Sequence, residues 1–511
     1  MCRYLHFLLL LLLPHAAAFL SADPNSCAGR CYKYDKGAAC QCNWNCGKYK
    51  DCCHDFNATC NHPKPPAPPP PPPPPLVGGP QQLHLSLGRA PSEMVLSFAT
   101  AAGHCASAPR GSCACSYSAR NTTDASGDFD TKAPATTYTY TNGSWIGALH
   151  RVLFDKLQPS TTYFYTCDQA SRVFSFQSAP AAKHFPVTIG AVADLGSDCD
   201  TEGCGNATIK SLAAAASTGD IDFVLHAGDI AYTSGRQQIW DAYLEQTESF
   251  AARVPYQVCP GNHEHYLNFT GYRWRFAMTP GRPGAGVDGP QGPIPVNNLW
   301  SSFKFGGVEF FGLSTEHAFE NGSPQHAWLS SALKASAADA SVSWRVVFAH
   351  RPAYCSTSDY YDCKQAGPKK IRPALAPLFE QYGVDLFLAG HLHNYERSFP
   401  VSASGEVLRE SYNWTAAQQR EEQKEEEEAV ARVGGAPKVK QGTVHMVIGN
   451  AGDNEGLTYV WEQPKPSWVA FRNTTLGWAR ITARDENHML VEMVESGNVG
   501  RVIDSFTLVK P

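Results

Sequence analysis

Five short apolar runs along the chain each end in a polar side chain. Each run has the length of a β-strand, stops at a small residue or a turn, and then offers a side chain that can bind a metal ion. The runs are VTIGAVAD ending at Asp194, FVLHAGD at Asp229, PYQVCPGN at Asn262, WRVVFAH at His350 and VDLFLAGH at His391. Such runs are typical of strands buried on both faces, and ligands of α/β sheets collect beyond the carboxyl ends of the strands. We therefore predict that five loop tips meet on one rim.

The side chains at these tips are hard oxygen donors and imidazoles. With His393, which lies two residues after His391, and Tyr232, which lies three after Asp229, they make seven candidate ligands. This mixture suits Fe, Mn or Zn, and seven ligands are too many for one tetrahedral ion. The set fits two metal ions that share a carboxylate, an arrangement that supports phosphoryl transfer to an activated water.

The order of these blocks carries a family resemblance. The blocks are DLG (194–196), GDIAY (228–232), GNHE (261–264), VFAH (347–350) and GHLH (390–393). This order resembles the signature of the metallophosphoesterases, and the tyrosine after the second-block aspartate is similar to the purple acid phosphatases, in which tyrosinate binds Fe(III). The resemblance runs from about residue 80 to the C-terminus and includes NLW (298–300), LSTEH (313–317) and HNYER (393–397).

The resemblance implies a role for each candidate residue. The implied roles are Asp194, Tyr232 and His393 on Fe(III); Asn262, His350 and His391 on a divalent ion (Zn, Fe or Mn); and Asp229 as the bridge. It also implies that Asn262 and His263 contact the substrate, and that His263 binds phosphate or protonates the leaving group. Glu264 is a candidate for orienting a neighbouring ligand. The alternative role for Tyr232 is a packed aromatic in a helix, and a purple colour would separate the two.

The loop after His350 departs from the plant-type members of this family, which carry further histidines there for substrate contact. The residues found instead are Arg351, Tyr354, Ser356, Tyr360 and Tyr361. Cys355 and Cys363 resemble the loop disulfide of the animal-type long forms. The departure leaves the ligand set intact, so it leaves open only the substrate specificity.

A β-rich stretch precedes the metal-ligand blocks. Between residues 83 and 181, short alternating segments rich in Val, Phe, Thr and Tyr are separated by turns at Pro91, Asn142-Gly143 and Pro159. The pattern predicts a β-sandwich of about 100 residues, and it resembles the fibronectin-III-like domain of the long purple acid phosphatases. We expect two disulfides of open pairing here, from Cys105, Cys113, Cys115 and Cys167. The histidines of this stretch are expected to be structural or exposed.

The first 80 residues contain a cysteine module and a proline rod. The module has the cysteines Cys27, Cys31, Cys40, Cys42, Cys46, Cys52, Cys53 and Cys60. So short a stretch buries too little apolar surface to fold unaided, so we expect four disulfides rather than a zinc cluster. The spacing resembles a somatomedin B domain, a protein-binding module. The unbroken prolines Pro68–Pro75 predict a polyproline II spacer rather than an SH3 ligand.

Several features indicate the secretory route. Arg3, the apolar residues 7–13 and the small residues 16–18 predict a signal peptide. A membrane anchor is the alternative, but the apolar run is shorter than the roughly 20 residues that a span needs. The chain also has 18 cysteines and the N-glycosylation sequons Asn57, Asn121, Asn142, Asn206, Asn268, Asn321, Asn413 and Asn473. Its net charge of −5, with no basic cluster, argues against nucleic-acid binding.

Four smaller expectations concern single segments. Cys199 and Cys204 are expected to close a small loop, and Cys259 to be a buried free thiol. The charged segment 416–432 predicts a solvated surface helix rather than a cation site. Asn450 and Asp453 are expected to form a structural turn.

Together these features predict a multidomain chain. The segments are a signal peptide (1–22), a somatomedin B-like module (23–61), a proline-rich linker (62–80), a fibronectin-III-like sandwich (81–181) and a metallophosphoesterase domain (182–511) of four α/β/β/α layers. We expect a secreted or vacuolar acid phosphatase that hydrolyses small phosphate monoesters at acidic pH. The alternatives are a phosphodiesterase or nucleotide pyrophosphatase on the same metals, a secreted binding protein acting through the cysteine module, and radical chemistry by a ferric/ferrous pair.

Overall fold

The computed structural model describes most of the chain beyond the proline rod. The described residues are Cys27, Cys40, Cys52, Cys53, Leu76 and 78–510, apart from 108–112, 122–126, 168–171, 197–204, 279–297, 359, 410–441 and 499. The chain divides into two units, Met1–Pro71 and Pro72–Pro511. In the first unit, Cys40 and Cys53 form a disulfide. The predicted signal peptide, the cysteine module apart from Cys27, Cys40, Cys52 and Cys53, the proline run, the Cys199–Cys204 loop and the charged segment 416–432 lie outside the described residues.

Seven strands in the first part of the larger unit form two facing layers. They are β1 (Gln81–Leu87), β2 (Met94–Thr100), β3 (Ala114–Ser118), β4 (Thr131–Tyr138), β5 (Ala148–Phe154), β6 (Thr162–Cys167) and β7 (Phe174–Gln177), hydrogen-bonded in the order β1-β2-β5-β4-β3-β6-β7. The first half of β4 pairs with β3 and its second half pairs with β5. β4 therefore crosses from one layer to the other.

Aromatic side chains fill the space between these two layers. The ring of Phe154 on β5 lies 4.7 Å from Tyr117 on β3, 5.5 Å from Tyr165 on β6 and 5.7 Å from Phe176 on β7, measured between centroids. Disulfides join Cys105 to Cys113 and Cys115 to Cys167. The predicted sandwich and its two disulfides are confirmed.

In the described part of the larger unit, thirteen further strands form two mixed sheets. The first sheet, in the order β10-β9-β8-β18-β19-β20, contains β8 (Val187–Val192), β9 (Phe223–Ala227), β10 (Tyr256–Cys259), β18 (Gly477–Ala483), β19 (His488–Glu495) and β20 (Val502–Val509). The second, in the order β11-β12-β13-β14-β16-β15-β17, contains β11 (Ser301–Phe305), β12 (Val308–Gly312), β13 (Trp344–Phe348), β14 (Leu386–Ala389), β15 (Tyr395–Ser398), β16 (Val444–Ile448) and β17 (Val469–Asn473). All five apolar runs are strands, parallel to their neighbours within β8-β9-β10 and within β13-β14.

The described helices lie between these strands in the chain. They are α1 (Asn206–Thr218), α2 (Gln237–Ala251), α3 (Tyr266–Arg275), α4 (Pro324–Ala337) and α5 (Arg372–Tyr382). A π-helical segment, Asp362–Ile371, runs directly into α5, and 3₁₀ turns cover His104–Ser107, Asn142–Ser144 and Asn262–Glu264. Among these described helices, none is both long enough and apolar enough to cross a membrane.

Alternate residues of the central strands face different layers. On β9, Phe223 and Leu225 belong to the core shared by the two sheets, whereas Val224 packs with helix residues such as Leu212 of α1. The Phe223 ring meets Phe310 of the other sheet edge-on, with centroids 5.1 Å apart. Each sheet therefore has one face against the other sheet and one face against helices, and the predicted four-layer fold is confirmed.

Candidate metal centre

The carboxyl ends of β8, β9, β10, β13 and β14 bring the candidate ligands to one rim. Four candidates have left-handed backbones although they are not glycine, with φ values of 56° for Asp194, 50° for Asp229, 49° for Tyr232 and 70° for His391. Such conformations cost about 1–3 kcal/mol each and cluster at functional sites. Tyr232 lies in the loop after β9 and not in a helix. The local backbone thus turns each side chain sharply away from its strand.

Three of these side chains form a compact group that we name the tyrosine cluster: Asp194, Tyr232 and His393. The Tyr232 hydroxyl lies 3.0 Å from Asp194 Oδ1 and 3.1 Å from His393 Nε2. His393 Nε2 is 3.6 Å from the same Asp194 oxygen. The Nδ1 atom of His393 lies 2.9 Å from the Gly456 carbonyl oxygen, to which it donates, so Nε2 is the ring nitrogen that faces the cluster.

A second group, the asparagine cluster, contains Asp229, Asn262 and His350. His350 Nε2 lies 3.0 Å from Asp229 Oδ2 and 2.9 Å from Asn262 Oδ1. His350 Nδ1 donates to the Ala227 carbonyl oxygen at 3.1 Å, which leaves Nε2 as the nitrogen available to an ion. His391 joins this cluster, because one of its ring nitrogens lies within 4.8 Å of the ligand atoms of Asp229 and His350.

The spacing within both clusters fits the predicted pair of ions. Metal–nitrogen and metal–oxygen bonds of about 2.0–2.2 Å place neighbouring ligand atoms roughly 3 Å apart. Both clusters contain ligand atoms at this separation. In the asparagine cluster, an unprotonated His350 Nε2 would face two acceptor oxygens. These atoms repel one another unless a proton or a cation lies between them. The donors are oxygen and imidazole nitrogen, as iron, zinc and manganese prefer.

The electrostatics of the metal-free chain lead to the same conclusion. Burial, with further repulsion from Asp229, raises the pKa of Asp194 to about 7. Burial alone would lower the pKa of His350, but the Asp229 carboxylate raises it to about 10. Burial would raise the pKa of Asp229, yet the charge and hydrogen bond of His350 hold it well below its ordinary value. Protons therefore neutralise carboxylates that a bound cation would otherwise neutralise.

Glycines allow the backbone to approach these ligands closely. A Cβ atom on Gly390 would lie 2.3 Å from Asp194 Oδ2, and one on Gly261 would lie 2.3 Å from Asp229 Oδ1. Real Cβ atoms do not come so close to another heavy atom. The glycines of the GNHE and GHLH blocks are thus required by the packing around the aspartates.

His263 lies at the edge of the rim, outside both clusters. Its Nε2 atom is 3.9 Å from Asp229 Oδ2 and 3.6 Å from Glu455 Oε1, and its side chain is 19% exposed. Its ring packs on Tyr232 with centroids 4.2 Å apart, while its backbone N–H donates to Asp229 Oδ1 at 2.7 Å. The imidazole is therefore partly open to solvent beside the candidate ligands.

Glu264 is buried beneath the asparagine cluster. It accepts hydrogen bonds from the backbone N–H groups of Asp229, Ile230 and Gly261 at 2.8–3.0 Å. Burial and the nearby Asp229 raise the pKa of Glu264 to about 8. This side chain ties the loop after β9 to the loop after β10.

Three acidic residues at the rim were not predicted as parts of the site. Asp362 Oδ2 lies 2.9 Å from His391 Nε2, and Asp453 Oδ2 lies 3.1 Å from His393 Nδ1. Asp453 was expected to belong to a structural turn, and its Oδ1 does accept the Glu455 backbone N–H at 2.7 Å, but its side chain is also buried against a candidate ligand. Glu455 lies beside His263. The signal in the sequence was their position after apolar runs that form strands, since Asp362 follows β13 and Asp453 and Glu455 follow β16.

Arg351, a candidate for substrate contact, is already paired with protein groups. Its Nε and Nη2 atoms contact the two carboxylate oxygens of Glu316 at 2.8 and 3.1 Å, and Nη1 donates to Asp362 Oδ1 at 2.9 Å. The predicted disulfide Cys355–Cys363 is present, and Cys259 is buried and free.

Comparisons with known proteins agree with this geometry. A sequence profile for the calcineurin-like phosphoesterases matches residues 187–395, and profiles for the purple acid phosphatase N-terminal domain, the iron/zinc purple acid phosphatase-like protein C and the somatomedin B domain match residues 80–178, 442–505 and 25–63. Acid phosphatase type 7 of Danio rerio is 31% identical over 71% of this chain and 77% of its own length. The chain belongs to the purple acid phosphatase family. The predicted resemblance is thus confirmed, including the somatomedin B module.

Other members of the purple acid phosphatase family show the range of this relationship. The Arabidopsis thaliana protein named probable inactive purple acid phosphatase 27 is 28% identical over 74% of this chain and 62% of its own length. The structure of a purple acid phosphatase from yellow lupin seeds superposes with a TM-score of 0.65 at 22% identity, covering 85% of this chain and 75% of the lupin chain. The fold is shared with the lupin enzyme, and the family includes a relative named as inactive.

Proposed function

We propose that this chain is an acid phosphatase that hydrolyses phosphate monoesters at a dinuclear centre of Fe(III) and a divalent ion (Zn, Fe or Mn). The observation that carries the proposal is the complete pair of clusters, with Asp229 in the asparagine cluster and the Tyr232 hydroxyl in the tyrosine cluster. Family membership supports a dinuclear metal centre and phosphoester hydrolysis. The seven proposed ligands are Asp194, Asp229, Tyr232, Asn262, His350, His391 and His393.

The chain's own residues would divide the work as follows. When bound, the two ions would supply an activated water and stabilise the charge on the phosphoryl oxygens. Asn262 and His263 would hold the phosphate, because both lie on the open side of the asparagine cluster. His263 Nε2 would give its proton to the departing alcohol oxygen, a step that favours acidic pH because the imidazole must be protonated.

A substrate panel on the metal-loaded full chain tests the reaction. We expect release of phosphate from p-nitrophenyl phosphate at pH 5 to exceed hydrolysis of the bis-ester by at least about 10-fold. We expect Asp229→Asn to lose about 10³-fold or more, because several kcal/mol of metal-derived stabilisation are lost. Asp385→Asn removes another fully buried carboxylate, which accepts a hydrogen bond from Arg345, and should retain activity. Faster hydrolysis of the bis-ester would favour the phosphodiesterase, and no hydrolysis of either ester would contradict the proposal.

We further propose secretion of the mature chain, with the somatomedin B-like module acting as a protein-binding unit. The disulfides support an oxidising compartment, since such bonds persist there and are rare in the cytosol. Recovery of the glycosylated chain from the medium of expressing cells, starting after the predicted signal peptide, is the expected result. Retention of an intact N-terminus inside the cell would contradict it.

A further inference from the structure

The ligand histidine His391 is held by a carboxylate that does not belong to the predicted ligand set. Asp362 Oδ2 lies 2.9 Å from His391 Nε2. Arg351 Nη1, which can only donate, lies 3.1 Å from the same Nε2, but it already donates to Asp362 Oδ1. We therefore place on Nε2 a proton that points to the Asp362 carboxylate, which leaves the other ring nitrogen with a lone pair. The contact thus makes Nδ1 the nitrogen of His391 that is available to an ion.

Other contacts fix the rest of the His391 residue. Its backbone N–H donates to Asp194 Oδ2 at 2.8 Å. Its ring lies between His350 and Tyr360, with centroid separations of 5.0 and 5.6 Å and nearly perpendicular planes. The ring position is therefore set by packing, and its rotation and tautomer are set by Asp362.

Asp362 is itself held from two directions. Its other oxygen, Oδ1, accepts a hydrogen bond from Arg351 Nη1 at 2.9 Å, and Glu316 holds the far side of the same guanidinium. The next residue, Cys363, is joined by a disulfide to Cys355. The Asp362 side chain is only 6% exposed. These contacts give the carboxylate a single orientation.

We propose that Asp362 is a positioning residue that orients His391 for the ion of the asparagine cluster, with Arg351 and Glu316 holding Asp362 in place. Carboxylates behind metal-bound histidines commonly contribute 10–100-fold to metal affinity or activity. The inference rests on the metal centre proposed above. Asp362 lies in the segment after His350, where the sequence departs from the plant-type members of the family. This arrangement also gives Arg351 a role, since its guanidinium pairs with both Glu316 and Asp362.

The experiment measures the binding of each ion separately in the full chain loaded with Fe(III) and zinc. Zinc binding is titrated against a competing chelator, and the tyrosinate-to-iron band reports the tyrosine cluster in the same sample. Asp362→Ala should weaken zinc binding by about 10–100-fold while leaving the band unchanged. Asp362→Asn keeps an acceptor oxygen but loses the charge, so it should weaken zinc binding by less than Asp362→Ala does.

A matched control is Asp504→Asn, since Asp504 is a buried carboxylate that forms a similar fork with Arg397 but lies on β20. It should leave both ions in place. Unchanged zinc affinity in both Asp362 variants, or equal loss of zinc and of the iron band in Asp362→Asn, would overturn the inference. A wild-type chain that binds neither ion would instead contradict the metal centre itself, so the two failures are distinguishable.

Discussion

At the scale of single residues, the proposed ligands differ from the proposed acid in burial and contacts. Asp194 and His350 are fully buried and face other ligand atoms, whereas His263 is partly open, packs on the Tyr232 ring and has Nε2 3.9 Å from Asp229 Oδ2. The sequence blocks made it predictable that the proposed ligands meet, because each block follows directly on a strand. Asp362 was not predictable in this way, because its partner His391 is 29 residues away and their contact depends on the path of the whole segment.

Removing the His263 imidazole should slow the chemical step without removing the ions. We expect His263→Ala to lower kcat by about 10²–10⁴-fold, the usual contribution of a general acid. Metal content should stay at the wild-type value, because Nε2 lies outside both clusters. His488→Ala removes a histidine that is half exposed on β19 and should change neither quantity. Loss of metal in His263→Ala would show that the residue is a ligand instead.

The Tyr232 hydroxyl should be the source of any visible colour. We expect Tyr232→Phe to remove the charge-transfer band, because the phenolate oxygen is the donor of that transition. Tyr243→Phe is the matched control, since Tyr243 is a fully buried tyrosine whose hydroxyl bonds Tyr256 and not a candidate ligand. Absorption spectra of the iron-loaded proteins make the comparison. A band that persists in Tyr232→Phe would place the tyrosine outside the metal site.

At the scale of elements, strands with clear apolar patterns were predictable and strands defined by their neighbours were not. All five ligand-bearing runs became strands, and so did the alternating segments of the sandwich. The strand β3, with the sequence ACSYS, was missed because small and polar residues dominate it, and its place is set by pairing with β4 and β6. The division of the five runs between two sheets was not predicted either, since strand order depends on long-range pairing.

The backbone at Gly390, after β14, lies directly against the Asp194 side chain, after β8. A methyl group in Gly390→Ala would lie 2.3 Å from Asp194 Oδ2 and 2.5 Å from Ala193 Cβ, so the ends of β8 and β14 must separate. We expect loss of about 1–3 kcal/mol of stability from overpacking and loss of iron from the tyrosine cluster. Gly497→Ala, where the methyl group meets open space, should be neutral. Full iron content and stability in Gly390→Ala would contradict this account of the rim.

At the scale of the whole molecule, the buried acids couple metal binding to folding and pH. The pKa of Asp194 is raised from 3.8 to about 7, so between these values the folded metal-free chain keeps a proton that the unfolded chain has lost. The free energy of unfolding therefore falls as pH rises through this range. The raised pKa of His350 acts with the same sign, because its contribution is present below pH 6.5 and is lost as pH rises towards about 10. Metal ions must displace these protons, so they bind more tightly at higher pH.

Thermal melting at several pH values checks this coupling. The Tm of the metal-free chain should fall between pH 5 and pH 8 by at least about 1–2 °C, the shift that corresponds to roughly 1 kcal/mol in a unit of several hundred residues. The increase in Tm on adding metal should grow over the same range. Asp194→Asn should remove most of that increase. A metal-free Tm that rises with pH would contradict the assigned proton positions.

The number of metal ions per chain is the most direct measure of the proposed centre. Elemental analysis of the purified full chain should give two ions per chain, at least one of them iron. Asp229→Asn, which alters the carboxylate proposed to bridge the ions, should lower the total towards one or none. A wild-type chain that hydrolyses phosphate monoesters with one ion or none, or an Asp229→Asn chain that keeps both, would contradict the central claim that the loop ends hold two cations around a shared aspartate.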